Sequence, residues 1–440
     1  MEPFTGYESK RAKLVQELAA ARAEGAAIAL GKSTSNLFRR RDQSGTKKID
    51  VRHFNRVLEV DQERMIADVE GMTTYQALAG ETLKQGLLPT VVPELKTITI
   101  GGAVSGLGIE SSSFRFGLVH ETVEELEILL GNGRTIVCSR GENQDLFYGF
   151  PNSYGTLGYV LRLKVRLIPA KRHVKLRHTR FTDPQRYFAE IARLAARRSV
   201  DYLDGTVFSQ DEMYATTGEF VDEAPFLSDY TYMGIYYQSI RQKQADYLTA
   251  KDYIWRWDTD WFWCSKHFHV QKPAIRLLAT KWALNSRTYQ RIMRLSHKLF
   301  PKPDAAESVI QDVDIPIEKA VEFLDFLLTG IGIKPVWVCP FQSCDPDVTY
   351  DLYRLDPHRL YINFGFWDTL PAGPEEGYYN KLIERKALEL NGKKGLYSTA
   401  CYDRETFWKI HNQPRYDALK TKYDPGHVFR DLYEKCVQRK

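Results

Sequence analysis

The first 170 residues alternate between short apolar runs and polar turns, a pattern typical of small strands and helices. Apolar runs at 58–60 and 65–69 lie on either side of a polar turn and predict two short strands. A helix should follow them, because Thr73 or Thr74 can cap its first turn. Gly86 should end this helix, since glycine readily adopts the left-handed conformation of a helix end.

Strict alternation predicts three further strands in this half. Apolar residues recur along 123–130 and 136–138, on either side of a Gly-Asn-Gly turn at 131–133, which indicates a hairpin. Over residues 159–167, apolar residues alternate with mostly basic ones, which indicates a strand with one buried and one solvated face. The chain up to about Pro169 is therefore expected to form mixed α+β structure.

The later half loses this pattern, and a length of 440 residues suits two domains better than one. We predict a first domain over residues 1–169, a second over 170–395, and a C-terminal segment, 396–440, that folds back onto the first. The second domain should be a sheet with flanking helices, with buried strands at 336–338 and 361–366.

Composition and charge narrow the class of protein. Hydrophobic residues make up 43% and charged residues 27% of the chain, which is typical of a globular protein. The formal net charge of +5 is too small to argue for nucleic-acid binding. Charges throughout residues 1–29 indicate an amphipathic helix and not a signal peptide, and no apolar run reaches the ~18 residues of a membrane span.

The six cysteines form no C-x-x-C pair, so the sequence indicates neither a zinc site nor a disulfide framework. A reducing, cytoplasmic location is therefore expected. The protein could also rest on a membrane surface from there.

Glycine and serine crowd residues 101–117, the stretch GGAVSGLGIESSSFRFG. Glycine lets the backbone approach a ligand closely, and N–H groups with serine hydroxyls suit a phosphate or the edge of a flavin ring. Two nucleotide motifs are rejected on spacing. Residues 25–33 place five residues between two glycines where a P-loop needs four, and residues 106–111 lack the third glycine of a dinucleotide fingerprint.

Five motifs follow one another along the chain: GKSTSN at 31–36, PEL at 93–95, TIGG at 99–102, DLF at 145–147 and GTLG at 155–158. Together they resemble the FAD-binding domain of the vanillyl-alcohol-oxidase type, also called the PCMH type. The resemblance implies a two-subdomain FAD-binding domain followed by an α+β substrate, or cap, domain. The residues that it implies for FAD binding are Gly31, Lys32, Ser33, Thr34, Ser35, Asn36, Pro93, Thr99, Ile100, Gly101, Gly102, Ala103, Ser105, Gly106, Gly108, Ile109, Glu110, Ser111, Ser112, Gly155 and Gly158.

Later motifs resemble one branch of these flavoproteins. The segments WVCPF at 337–341 and CYDRETFW at 401–408 resemble the sterol delta-24 reductases. Residues 252–264, with FGFW at 364–367 and PEEG at 374–377, resemble more closely a bacterial FAD-binding reductase that converts methylene-branched fatty acyl chains into methyl-branched ones. The resemblance implies FAD-dependent reduction of an isolated C=C bond in a lipid, with NADPH as the electron donor.

Three other functions stay open on the sequence. The first is reduction of a sterol side chain. The second is oxidation of an alcohol or sugar lactone by the same fold, although the aromatic and basic character of the chain speaks against it. The third is a non-catalytic lipid-binding protein that contains flavin. The number of subunits is not indicated.

Reduction of an isolated double bond needs a proton donor, because an electron-rich bond must be protonated before hydride from reduced flavin can attack it. The groups that we predict for this role are Glu110, Asp258, Asp260, Tyr397, Tyr402 and Glu405. Glu110 adjoins the glycine-rich segment, where it could instead hold the flavin. The aromatic run could stabilise a cation or could be an ordinary core; it comprises Trp255, Trp257, Trp261, Phe262 and Trp263.

Residues 31–41 contain neither His nor Cys, the residues through which flavin is usually attached covalently in this fold class. Dissociable FAD is therefore expected. No separate nicotinamide-binding unit is visible, so NADPH would visit the flavin and leave before the lipid enters.

A basic stretch lies between Trp261 and Pro303, where nine Lys and Arg residues and no Asp or Glu occur. Apolar residues, including Trp282, are interleaved with them. This pattern is typical of a surface that binds an anionic membrane, and also of a solvated helix face.

Overall fold

The computed structural model of this chain describes residues 5–39, 45–299 and 306–438. Its N-terminal helix, α1 (Thr5–Ala23), packs on two parallel strands, β1 (Ala27–Gly31) and β2 (Thr46–Asp50). One face of α1 is buried through Tyr7, Leu14, Leu18 and Ala21. The helix predicted within residues 1–29 is confirmed for Thr5–Ala23, whereas residues 27–29 belong to β1 and residues 1–4 lie outside the described part.

Six strands of the first half form an antiparallel sheet. They are β3 (Val57–Asp61), β4 (Ile66–Glu70), β5 (Leu87–Pro89), β6 (Val123–Leu129), β7 (Thr135–Ser139) and β8 (Tyr159–Pro169). Their order is β3-β4-β8-β6-β7, and β5 pairs with the end of β8. The strands predicted from alternation are confirmed, and β8 alternates buried and half-buried side chains along most of its length.

Four helices accompany this sheet: α2 (Tyr75–Thr82), α3 (Ile100–Gly106), α4 (Ser113–Phe116) and α5 (Gln144–Gly149). The Ala77 N–H donates to the Thr74 hydroxyl at 3.3 Å, so Thr74 and not Thr73 caps α2. Gly86 lies just beyond that helix in the left-handed conformation, as predicted, with φ of 69°.

The glycine-rich segment begins as a helix, α3, and not as the open surface of N–H donors expected from its composition. The reason is close backbone packing. The Gly101 N–H donates to the Gly71 carbonyl at 2.9 Å, and a Cβ at Gly101 would lie 2.7 Å from that same oxygen. Glycine is therefore required there for the helix to approach the sheet.

The second half forms an eight-stranded antiparallel sheet in the order β12-β9-β11-β10-β14-β15-β13-β16. Its strands are β9 (His173–Phe181), β10 (Tyr202–Ser209), β11 (Glu212–Val221), β12 (Ala245–Thr249), β13 (Ala306–Pro316), β14 (Val336–Phe341), β15 (Tyr361–Pro371) and β16 (Lys393–Lys394). The buried strands predicted around 336–338 and 361–366 are β14 and β15, and their side chains are buried as expected.

The helices of the second half are α6 (Pro184–Arg197), α7 (Tyr236–Ser239), α8 (Ala250–Ile254), α9 (Pro273–Leu278), α10 (Ser286–Leu299), α11 (Ala320–Asp325), α12 (Tyr378–Glu389), α13 (Arg404–Ile410), α14 (Gln413–Tyr423) and α15 (Leu432–Cys436). Three of them, α6, α11 and α12, cover one face of the second sheet in a shared apolar core. Trp337 and Trp367 lie on the opposite face and join the core of the first half. The chain is thus an α+β protein built on two antiparallel sheets.

The last helices pack on the first half of the chain. The Lys420 ammonium of α14 donates to the Thr156 carbonyl at 2.8 Å, and Lys422 pairs with Asp145 at 2.7 Å. Phe429 packs edge-on against Tyr159, with ring centroids 4.7 Å apart. Among the described residues, no helix is long and apolar enough to span a membrane.

Candidate active site

A cavity of about 300 Å³ is lined by residues from both sheets and from the C-terminal helices. Of the residues implied for cofactor binding, those that line it are Lys32, Thr34, Ser35, Asn36, Pro93, Thr99, Gly101, Gly102, Ala103, Ser105, Gly106, Gly108, Ile109, Gly155 and Gly158. The glycine-containing segments 101–108 and 155–158 therefore meet at one site, although they are far apart in sequence. No His or Cys is present among the described lining residues.

Six implied residues lie behind this lining: Gly31, Ser33, Ile100, Glu110, Ser111 and Ser112. Gly31 pairs with Asp50 between β1 and β2, and Ile100 is buried in α3. The Ser112 hydroxyl donates to the Thr90 carbonyl at 2.8 Å, and the Ser111 hydroxyl is 2.8 Å from the Tyr253 hydroxyl. The side chains of Ile100, Ser111 and Ser112 support the glycine-rich segment from behind.

The cavity lining contains a cation cluster, which consists of Lys32, Arg430 and Lys435. Burial, together with the nearby charges of Arg39 and Lys32, lowers the pKa of Lys435 to about 7. Arg39 is buried, and its Nε and Nη2 have no hydrogen-bond partner in the part of the chain that the structure describes. An anionic ligand group, such as the diphosphate of a dinucleotide, fits this donor set.

Four aromatic residues of the lining form a part of the cavity that we call the aromatic end. Phe262, Trp337, Trp367 and Tyr397 line it, and the rings of Phe262 and Trp367 meet edge-on with centroids 3.9 Å apart. Phe262 has φ of 61°, an uncommon conformation for a bulky residue, which places its ring in the cavity wall. This end offers an apolar substrate a dry aromatic surface.

The aromatic run at 255–263 contributes only partly to this wall. All five aromatic residues of the run are buried, but Phe262 alone among them lines the cavity. The four tryptophans belong to the core beneath it. The expected wall is therefore corrected: its indoles come from Trp337 and Trp367, on two neighbouring strands of the second sheet.

Asp312 is an acid in the cavity lining that the sequence analysis did not single out. Its carboxyl lies beside the Tyr397 hydroxyl, which lowers the pKa of Asp312. The Tyr397 oxygen accepts from the Trp367 Nε1–H at 3.1 Å. Asp312 Oδ1 is shielded from solvent and has no hydrogen-bond partner among the described residues. Burial raises the pKa of Asp312 to about 7, and the neighbouring charge of Asp314 acts in the same direction.

Glu94 is a second acid in the lining, within the PEL motif. Burial raises its pKa well above the usual range, with the charge of Glu110 adding to the effect. Glu110 itself does not line the cavity: its Oε1 pairs with Arg256 at 2.9 Å, and Arg256 also pairs with Asp204 at 2.8 Å. This buried trio links the glycine-rich segment to the second sheet, which favours a structural part for Glu110.

The other predicted proton donors differ in their position. Tyr397 lines the cavity, whereas Asp258, Asp260, Tyr402 and Glu405 do not. Asp258 accepts from the Ser286 hydroxyl at 2.6 Å, and Asp260 is paired with the buried Arg276 at 2.7 Å. Tyr402 is buried among the C-terminal helices, and Glu405 is exposed in the first turn of α13. The structure thus brings only Tyr397 of this set to the cavity.

The sequence analysis did not single out Asp312, because the alternation along β13 predicts a strand with one side facing water. In AESVIQDVDIP, Asp312 and Asp314 alternate with apolar positions, a pattern that places acids on a water-facing side. The structure covers both faces of β13, so this side faces the cavity instead. The PEL motif was the available signal for Glu94, since its neighbour Pro93 was expected at the site.

Comparisons with known proteins agree with this arrangement. Residues 9–139 match the sequence model of a family described as an FAD binding domain. The Delta(24)-sterol reductase of Homo sapiens is 27% identical over 406 residues, which cover 87% of this chain and 76% of that protein. The Arabidopsis thaliana Delta(24)-sterol reductase is 24% identical over 441 residues, covering 88% and 76%. Cytokinin dehydrogenase 10 of Oryza sativa subsp. japonica is 31% identical over 159 residues, covering 35% and 29%.

The matched domain decides the cofactor, and its lining glycines and cations fit it. The chain is an FAD-dependent oxidoreductase. The oxidoreductase resembles the sterol reductase branch, which confirms the resemblance noted in its motifs. The residues that would hold FAD are those of the glycine-rich segments, the 32–36 segment and the cation cluster.

Proposed function

We propose that this oxidoreductase reduces an isolated C=C bond in a lipid, converting a methylene-branched fatty acyl chain into a methyl-branched one. The observation that carries the proposal is the aromatic end of the cavity, where Asp312 and Tyr397 lie among Phe262, Trp337 and Trp367. Such a site suits an apolar substrate that must be protonated away from water. The motifs at 252–264 and 364–377 support the acyl substrate.

Reduced FAD, when bound, supplies the hydride for this reaction. The chain's own residues exclude water, hold a proton in a buried acid and surround a positive charge with ring faces, each worth ~0.5–2 kcal/mol. NADPH is the proposed electron donor. FAD is proposed to bind without a covalent link, in keeping with a described lining that contains no His or Cys.

The domain assignment belongs to the same proposal. Residues 1–169 would form a PCMH-type FAD-binding domain, with the β1–β2 unit and the six-stranded sheet as its two subdomains. Residues 170–395 would form the cap domain, and 396–440 would return to the FAD domain, as the contact of Lys420 with Thr156 supports.

A sterol side chain is the second candidate substrate, because the similar proteins include Delta(24)-sterol reductases from several organisms. Both substrates carry an isolated double bond and demand the same chemistry of the site. They differ in the shape of the apolar body that must enter the cavity, so substrate preference has to be measured.

The test is to mix the purified flavoprotein anaerobically with NADPH and follow the flavin absorbance. Bleaching should be followed by recovery on addition of a methylene-branched phospholipid. The corresponding methyl-branched phospholipid, the expected product, is the matched control and should cause no recovery. Recovery with a side-chain-unsaturated sterol alone would move the substrate to the sterol class. No bleaching would exclude NADPH as the direct donor, and recovery with neither lipid would contradict the proposed function.

We also propose that the oxidoreductase rests on an anionic membrane through a surface that we call the Trp282 patch. It consists of the exposed apolar residues Ile275, Leu277, Leu278, Trp282 and Ile292. Exposed basic residues flank it: Lys272, Lys281, Arg287 and Arg291. Apolar side chains beside exposed positive charge complement a bilayer with anionic headgroups.

Not every basic residue of that stretch belongs to the patch. Arg276 is buried in its pair with Asp260, and Lys266 pairs with Asp368 at 2.9 Å. These two cations hold the segment to the body of the protein. The side chains of 293–299 and all of 300–305, which include further basic residues, lie outside the described part.

A further inference from the structure

We propose that Asp312 and Tyr397 form a proton relay, in which the Tyr397 hydroxyl protonates the substrate double bond and Asp312 replaces that proton. The relay rests on the proposed function and assigns its acid. Tyr397 would be the group in contact with the substrate, and Asp312 would act through it.

The two oxygens of Asp312 have different surroundings. Oδ1 lies against β15, where a Cβ added to Gly365 would be only 2.8 Å from it, and it is shielded from solvent. Oδ2 is therefore the oxygen left to interact with the Tyr397 hydroxyl beside it. A proton can leave Asp312 most directly toward that hydroxyl, because both groups line the cavity.

Hydrogen bonding at Tyr397 makes the relay directional. A phenolic oxygen has one hydrogen to donate and two lone pairs that can accept. The Trp367 Nε1–H already donates to it at 3.1 Å. When Asp312 is protonated and donates as well, both lone pairs are used and the Tyr397 hydrogen is free to point into the cavity. When Asp312 is ionised, that hydrogen is held by the carboxylate.

Strand pairing places Asp312 next to Trp337, an aromatic residue of the cavity wall. Asp312 on β13 lies opposite Gly365 on β15, which in turn lies opposite Trp337 on β14. Residues opposite one another in antiparallel strands project to the same face. Gly365 thus leaves the space that the Asp312 carboxyl occupies, next to the Trp337 ring.

The electrostatic surroundings keep Asp312 protonated near neutral pH. The charged and titratable groups that face it are Asp314 on its own strand, Glu94 from the PEL motif, and Tyr397 and Tyr154. None of these four groups is a cation that could pair with Asp312. Burial and like charge therefore both favour the neutral acid, with a pKa of about 7.

The step balances as follows in atoms and charge. The π pair of the alkene forms a new C–H bond with the Tyr397 hydrogen, the Tyr397 O–H bond breaks, and the Asp312 proton restores it. Asp312 becomes a carboxylate and the more substituted alkene carbon becomes cationic. The hydride delivered to that carbon completes the reduction. After the product leaves, Asp312 regains a proton from water in the cavity by way of the Tyr397 hydroxyl.

Glu94 is the rival acid in the lining. The charges that most affect the pKa of Glu94 are those of Glu110 and Arg256, which lie behind the glycine-rich segment. Asp312 and Tyr397, in contrast, lie with Trp367 at the aromatic end. The relay therefore assigns the proton to Asp312.

Stopped-flow reoxidation of the reduced holoenzyme by methylene-branched phospholipid tests the relay. Tyr397→Phe and Asp312→Asn should each slow reoxidation by about 10²- to 10⁴-fold, while leaving flavin reduction by NADPH intact. Asn can still donate to the Tyr397 oxygen but cannot give up a proton, so D312N separates proton supply from geometry. In the wild type the rate should fall tenfold per pH unit above about pH 7, and in D312N this decline should disappear.

A readout independent of activity comes from infrared difference spectra of the protein against D312N. The protonated carboxyl band of Asp312 should titrate near pH 7 in the wild type. In Y397F it should titrate at higher pH, because the hydrogen bond that stabilises the carboxylate is lost. A purely structural Asp312 would move neither the spectrum nor the pH profile in this way.

Tyr353→Phe is the matched control, because Tyr353 donates to Asp314 in a second buried Tyr–Asp pair on the same strand, outside the lining. Its reoxidation rate should stay within about twofold of wild type. Full reoxidation in D312N, or loss of rate in Glu94→Gln with none in D312N, would overturn the relay alone. Wild-type enzyme that neither lipid reoxidises would overturn the proposed function as well.

Discussion

Lys435 shows how a single side chain can couple cofactor binding to pH. Its pKa of about 7 arises from burial and from the charges of Arg39 and Lys32, so near neutral pH the amine is only partly protonated. A bound anionic group would favour the protonated form. Binding of FAD to the apoprotein should therefore take up a proton at this residue.

We expect the affinity of the apoprotein for FAD to fall as pH rises from 7 to 9, approaching tenfold per pH unit. Lys435→Met should abolish this dependence and weaken binding at pH 6 by about tenfold, equivalent to about 1.4 kcal/mol. Quenching of FAD fluorescence measures the affinity. Lys171→Met, which removes an exposed partner of Asp222, is the control and should leave the profile unchanged.

At the residue scale, the glycines that the sequence predicts for the ligand lie together in the cavity lining. Gly101, Gly102 and Gly106 were expected at the ligand from glycine content and motif order, and they line the cavity. Asp312 could not be found in this way, because local alternation does not reveal which face of a strand another sheet will cover. Sequence alternation predicts that such an acid faces water, and only the tertiary packing shows that it faces a cavity.

At the scale of elements, Arg256 joins the glycine-rich segment to the second sheet. It is fully buried between Glu110 and Asp204, and its guanidinium lies 4.1 Å from the Tyr253 ring centroid. Asp204 also accepts from the Trp337 Nε1–H at 3.2 Å. Arg256 thereby links Trp337 in the cavity wall to the glycine-rich segment.

Arg256→Leu should lower the free energy of unfolding by about 3–5 kcal/mol, because it leaves two buried carboxyl groups without their cation. Chemical denaturation at pH 7 measures the loss. Arg241→Ala breaks the exposed pair of Arg241 with Glu212 and should cost no more than about 1 kcal/mol. Similar losses of unfolding free energy in Arg256→Leu and Arg241→Ala would contradict the stabilising part assigned to Arg256.

Regular elements followed closely from sequence pattern, and irregular ones did not. Period-two alternation gave β8 and the β6–β7 hairpin, because one face of each strand is buried and the other is partly solvated. The helical start of the glycine-rich segment escaped prediction. Glycine disfavours helix in isolation, and tertiary packing compensates for it through the contact of Gly101 with Gly71 and the burial of Ile100, Ala103 and Val104.

At the scale of the whole molecule, the Trp282 patch presents apolar side chains to the outside. Trp282 is 89% exposed and Leu278 is 84% exposed, values that are uncommon for such large apolar residues in a globular protein. The neighbouring chain carries positive charge without acids between Trp261 and Pro303. The two properties act together only against a surface that is both apolar and anionic.

We expect the protein to bind vesicles containing anionic lipid and to bind zwitterionic vesicles much more weakly, with affinity falling as salt rises. Leu278→Ser and Trp282→Ser should each lower the affinity about tenfold, since each removes an apolar side chain worth about 1.5–3 kcal/mol on burial. Vesicle sedimentation measures this. Met65→Ser, at an exposed apolar residue on the β3–β4 turn, should bind as the wild type does. Unchanged binding in both patch variants would contradict the proposal.

The register of β13, β15 and β14 has a consequence for how this protein can change over evolutionary time. Asp312, Gly365 and Trp337 lie in one row across three paired strands. Inserting or deleting a single residue in any of these strands would turn its part of the row to the helix-covered face. Lineages of such proteins should therefore vary in the length of their connecting loops while keeping these strands free of insertions. New substrates would be reached by exchanging side chains along the row, one position at a time.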